Sequence, residues 1–146
     1  MQPITSSAVC LNVEDPQASA AFACHHLGFT QEMAADGVVS IRRDDAGFNL
    51  VFLRTGLPSM KPETLRDCHA AGVLLAFVVE DVDREYTRLQ DEGVVITTPI
   101  ETEPWGERYF QVTDPCGVVL QLVSWEPGAD PRSDGTPDEM TATPPA

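Results

Sequence analysis

Residues 9–15 and 75–81 of this 146-residue chain carry one pattern twice, at a spacing of 66. Val9-Cys10-Leu11-Asn12-Val13-Glu14-Asp15 is matched by Leu75-Ala76-Phe77-Val78-Val79-Glu80-Asp81, and each is a strand-like run ending in Val-Glu-Asp. A helical pattern follows each copy and stops at a glycine, Gly28 in one and Gly93 in the other. Near the end of each copy a glycine opens a further apolar run, over 47–53 and 117–123. A unit duplicated in so short a chain restricts the fold more than any single residue, and it marks where a ligand pocket forms.

Local signals fill in each copy. A first strand over 7–13 leads to Asp15 as N-cap and Pro16 at the first helical position, and the helix presents Ala18, Ala21, Phe22 and His25 on one side. Strands follow over about 29–34, 37–43 and 47–54, joined by a tight turn at Asp36-Gly37 and a longer one over 44–47. After a linker with a short helical turn around 63–66, the second copy repeats the order. It has a strand at 73–80, the N-cap Asp81, a helix with Val82, Tyr86 and Leu89 on one face, and strands near 94–100, 107–113 and 117–125. Asp114 and Pro115 make the last turn and carry no chemistry. The fold class is therefore α+β, two tandem βαβββ modules forming a curved open sheet, dimeric. Residues 1–126 make a single domain with modules at about 5–56 and 72–125 and a linker at 57–71, and 127–146 is a disordered acidic, proline-rich tail.

One helix covers one face of a four-stranded half-sheet, so the other face must be shared with the sister module or a second chain. The pleat sorts the residues. Val9, Leu11 and Val13 meet the helix, and Ala8, Cys10 and Asn12 face the open side with Asn49, Val51 and Leu53. In the second copy Leu74, Ala76 and Val78 face the open side with Val119, Gln121 and Val123. Phe110 and Val112 pack on the helix, which leaves Tyr109 and Gln111 for a ligand.

Size and charge bound the function. A hydrophobic content of 42% without any membrane-length apolar run reads as a soluble globular protein, and the start of the chain lacks a signal-peptide pattern, so the expected location is cytoplasmic. The net charge is −14, of which the tail after Trp125 holds −4 (five acids against Arg132) and the rest −10. Such a surface disfavours nucleic acid and attracts a cationic small molecule, and solubility alone explains it equally well. Cys10, Cys24, Cys68 and Cys116 form no C-x-x-C pair and read as reduced thiols.

The paired modules, Leu27-Gly28-Phe29, and the run from Pro104-Trp105-Gly106 through Arg108, Tyr109, Phe110 and Asp114-Pro115-Cys116-Gly117 resemble the vicinal oxygen chelate superfamily of glyoxalases, bleomycin-resistance proteins and extradiol dioxygenases. The resemblance covers nearly everything from 5 to 125. It implies that the enzymes of this superfamily hold a divalent metal through a His in the first strand and a Glu in the last strand of a module. Those positions fall here on Ala8, Val51, Leu74 and Gln121, three apolar side chains and a neutral amide. His25 and His26 lie on a helix and His69 in the linker, where solvated or helix-capping roles suit them.

Metal-dependent chemistry is therefore not expected, and the reading includes no cofactor and no catalytic residue. The closest resemblance is to the acidic, metal-free antibiotic-binding members, which sequester a drug in clefts at a dimer interface. The ligand-binding candidates are Cys10, Asn12, Asn49, Val51, Leu74, Ala76, Trp105, Tyr109, Gln111 and Gln121. Trp105 either meets the ligand or caps the sheet edge against a partner subunit, and Glu101 and Glu103 attract a cationic drug. Arg108 pairs with a nearby carboxylate, and Arg42 and Arg43 with Asp44 or Asp45. The expected partner is a small-molecule antibiotic of polycyclic or glycopeptide type, with no nucleic acid and no membrane. The alternative is a metal-independent enzyme of the same fold using Tyr109, a Cys or a carboxylate, and a metal enzyme with unusual ligands ranks last.

Overall fold

Each helix begins where its aspartate caps it. In the computed structural model, which describes residues 1–128, the Asp15 carboxylate accepts from Ala18 N at 3.1 Å and the Asp81 carboxylate from Arg84 N at 3.0 Å. These bonds satisfy amides that the first turn leaves unpaired. The elements run β1 (Ala8–Val13), α1 (Pro16–Leu27), β2 (Thr30–Ala35), β3 (Val38–Arg42), β4 (Asn49–Arg54), a 3-10 turn (Glu63–Leu65), β5 (Leu74–Val78), α2 (Val82–Asp91), β6 (Ile96–Thr102), β7 (Glu107–Thr113) and β8 (Val119–Trp125). Two βαβββ modules follow one another, as the repeat predicts. The expected tail over 127–146 lies, from residue 129 on, outside the described residues.

The strands form two four-stranded sheets, ordered β1-β4-β3-β2 and β5-β8-β7-β6. In the first, β1 pairs parallel with β4, while β3 is antiparallel to both β4 and β2. In the second, β6 is the antiparallel edge and its register with β7 shifts twice, between Ile96 and Thr98 and between Thr98 and Glu101. Pro99, which has no amide hydrogen to donate, falls inside that irregular stretch of the edge strand. By contact the described residues form two compact units, Met1–Leu74 with Thr113–Val119, and Leu75–Val112 with 120–128.

The core of the first unit packs α1 on Leu11, Val13, Val39, Ile41, Leu50 and Phe52, all at most 4% exposed. The helix buries Pro16, Ser19, Ala20, Ala23 and Leu27. That is a different stripe from the expected Ala18, Ala21, Phe22 and His25, because a helix with alanine all round shows no polar face to read. Gly28 closes α1 at φ +72°, where its amide reaches back to Ala23 O. In the second unit Val82 and Leu89 of α2 are sealed, and Tyr86 packs edge-on to Phe110 with ring centroids 5.0 Å apart. Phe110 and Val112 are 0% exposed, so the expected inward set of β7 is the observed one. Among the described residues no helix is long and apolar enough to cross a membrane.

Candidate functional site

Because Phe110 and Val112 turn toward α2, the pleat sends Tyr109 and Gln111 to the opposite face of the second sheet. Gln121 of β8 joins them there. Gln111 Nε2 donates to Gln121 Oε1 at 2.8 Å, and Thr98 of β6 donates its hydroxyl to Gln111 Oε1 at 2.6 Å. A ladder of three polar side chains thus crosses three strands. Gln121 is 7% exposed and lies between Val119 and Val123 along its strand.

Beside this ladder the Tyr109 hydroxyl reaches two carboxylates, Glu101 at 2.9 Å and Glu103 at 3.1 Å. Burial first, and then these two bonds, push the Tyr109 phenol above its ordinary value. A phenol so placed stays protonated and makes a poor general base. Trp105 is half-buried in the β6–β7 loop. The loop is held by Gly106 N donating to Glu103 O at 2.9 Å and Glu126 N donating to Gly106 O at 2.8 Å. Arg108 grips Asp83 through two nitrogens, at 2.7 and 3.0 Å, as the carboxylate pairing predicts. That pairing pushes the Asp83 carboxyl down and the guanidinium up.

On the first sheet the β1–β4 register sets Ala8 beside Asn49, Cys10 beside Val51 and Asn12 beside Leu53. These alternate with the buried Leu11, Val13, Leu50 and Phe52, so they share the face away from α1. Ala8 and Cys10 are exposed, and Asn12, Asn49 and Val51 are half-buried. Both donors of the Asn12 amide are engaged, by Leu65 O at 2.7 Å and Cys68 O at 3.0 Å, while Ala70 N donates to Asn12 O at 2.9 Å. Asn12 therefore pins the linker along β1. Leu74, 48% exposed, and Ala76 lie on the exposed positions of β5. Of the ten candidate residues, Cys10, Asn12, Asn49 and Val51 gather on one sheet. Tyr109, Gln111 and Gln121 gather on the other, where Thr98 enters the cluster without having been read from the sequence.

The metal-ligand positions that the resemblance implies do not suit a divalent cation. Ala8, Val51 and Leu74 offer no donor atom, and the one carbonyl of the Gln121 amide already accepts from Gln111. The His69 ring nitrogen Nε2 donates to Cys116 O at 3.1 Å. His25 and His26 sit in the last turn of α1. Arg43 bonds Asp45 at 2.6 Å, and Arg42 pairs with Asp44 and with Glu32. All four cysteines are free thiols, and burial pushes Cys24 up.

Residues 5–122 match the glyoxalase/bleomycin resistance protein/dioxygenase superfamily, and the chain belongs to it. A solved glyoxalase/bleomycin resistance protein/dioxygenase from Nocardioides superposes with a TM-score of 0.73 at 23% identity, covering 90% of this chain and 89% of that one. TnmS3, an antibiotic binding protein from Streptomyces sp. CB03234, superposes at 0.65 with 22% identity, covering 86% of this chain and 99% of its own. Lactoylglutathione lyase from Agrobacterium tumefaciens superposes at 0.65 with 18% identity, covering 84% of this chain and 96% of its own. At such identities the likeness is one of fold. Curated relatives include an uncharacterized protein of Mycobacterium tuberculosis, 33% identical over 70 residues. The matched stretch spans 41% of that protein and 46% of this chain, so less than half of either is covered.

Proposed function

We propose that this chain is a non-catalytic antibiotic-binding protein that captures a drug in a cleft at a homodimer interface. The observation that carries the reading is the chemistry of Ala8, Val51, Leu74 and Gln121, which leaves the superfamily's metal positions without a competent donor set. In this reading the sheet faces that carry these positions serve as a contact surface with a few oriented amides, the chemistry expected of a binding pocket. On the second sheet Ala76 supplies contact area, Gln111 and Gln121 orient the ligand, and Trp105 stacks on it. Burying a flat ligand contributes about 25 cal/mol per Å² of apolar area. TnmS3, a protein of the same fold, is named for antibiotic binding, so the fold is compatible with this reading.

The alternative, a metal-independent enzyme, would need an acid or base. Tyr109 is held protonated between two carboxylates, which weighs against it in that role. The test is a titration of the purified protein with DNA-damaging antibiotics, followed by tryptophan fluorescence with and without EDTA. Saturable quenching that EDTA leaves unchanged is the expected result. No saturation with any member of the panel, or quenching that chelation abolishes, counts against capture.

A further inference from the structure

The ladder on the second sheet has a direction. Thr98 Oγ1 lies 2.6 Å from Gln111 Oε1, a usual length for O–H···O and short for an amide N–H···O bond, which runs about 2.7–3.2 Å. The hydroxyl is therefore the donor, the Gln111 oxygen the acceptor, and the Gln111 Nε2 group points to the next rung. At that rung Gln121 can only accept, through Oε1 at 2.8 Å, so its own Nε2 faces away from the ladder. Among the described residues Gln121 Nε2 makes no hydrogen bond. The polar atoms sealed from solvent without a partner are Ser19 Oγ, Thr55 Oγ1 and Arg66 Nε, so Gln121 Nε2 is not sealed. An amide 93% buried as a residue, flanked along its strand by valines, keeps an unpartnered donor that a ligand can reach.

We propose that Gln121 is the specificity-determining donor of the site, presenting its amide hydrogens to an oxygen acceptor on the ligand. The acceptor is a ring carbonyl or phenolate oxygen, and a ligand offering an N–H or a hydrocarbon edge at that point is discriminated against. The inference rests on the capture reading and adds the chemical class of the captured group. Three properties favour an acceptor. The upstream bonds fix the amide against rotation, the surrounding valines lower the local dielectric, and a donor already oriented in the free protein pays little entropy on binding.

Fluorenone, fluorene and carbazole test it, being one tricyclic skeleton with C=O, CH2 and N–H at the same position. Titrated by fluorescence quenching, the protein is expected to bind fluorenone roughly fivefold tighter than fluorene, the worth of one ordinary hydrogen bond, and carbazole more weakly than fluorene. Fluorenone, and not fluorene, should shift the Gln121 side-chain amide resonances. Q121E keeps an acceptor for Gln111 and removes the free donor, so it should invert the order in favour of carbazole. Q121L should prefer fluorene, and because it also takes the acceptor from Gln111 Nε2 it should melt below the parent. Equal binding of fluorenone and fluorene by the unaltered protein, or a preference for carbazole, overturns the inference and leaves capture standing. Failure of all three probes to bind counts against capture of flat ligands, and the inference falls with it.

Discussion

At the scale of single residues, much of the polar inventory holds the fold together. Asp114 is 6% exposed, and its Oδ1 accepts from Cys116 N at 2.8 Å and Val118 N at 2.9 Å. D114A strands two amides in a buried turn and should cost about 2 kcal/mol, whereas D114N keeps the acceptor and should cost under about 1 kcal/mol, both measurable by urea unfolding. Tyr109 gives a pH signature of opposite kind to a salt-bridged acid. Its folded phenol titrates above the unfolded one, so the stability it contributes is complete below about pH 10 and is lost as pH rises further. In a Y86F protein the absorbance of the one remaining tyrosine at about pH 10, where a free phenol is half ionised, should show far less than half phenolate. E101Q/E103Q should move that titration back down.

At the scale of elements, the duplicated Val-Glu-Asp endings and the glycines after each helix locate both modules, since caps and turns are set by neighbours in sequence. Gly37 shows how tightly such a turn is fixed. It holds φ +78°, and an added Cβ would sit 2.7 Å from Leu57 Cδ2, a buried side chain at the start of the linker. G37A should therefore destabilise by at least about 1–2 kcal/mol in thermal or denaturant unfolding, with the β2–β3 hairpin losing hydrogen-exchange protection first.

Other features were not legible, and the reasons are physical. The stripe that α1 buries could not be told from its alanine-rich surface. Alternation placed Gln111 and Gln121 on one face, but Thr98 reaches Gln111 only through the two register shifts of β6, which no local signal announces. Asn12 read as a ligand-orienting amide. The carbonyls that engage it lie 53 and 56 residues away, a long-range contact that periodicity does not encode.

At the scale of the whole molecule, a net charge of −14 sets the approach of a ligand more than its grip. Stopped-flow association of a cationic drug such as bleomycin should slow several-fold between about 10 mM and 1 M salt, where the Debye length falls from about 30 Å to about 3 Å, with dissociation nearly unchanged. A neutral probe of equal size should show no such dependence.

Capture differs from catalysis in what happens to the bound molecule. The most direct measurement is to incubate a bound antibiotic with excess protein for many hours, denature the complex and quantify the small molecule by mass spectrometry. Full recovery at the original mass is the expected result. Loss of parent drug, with a new mass that grows in with time and is absent from boiled controls, would contradict it.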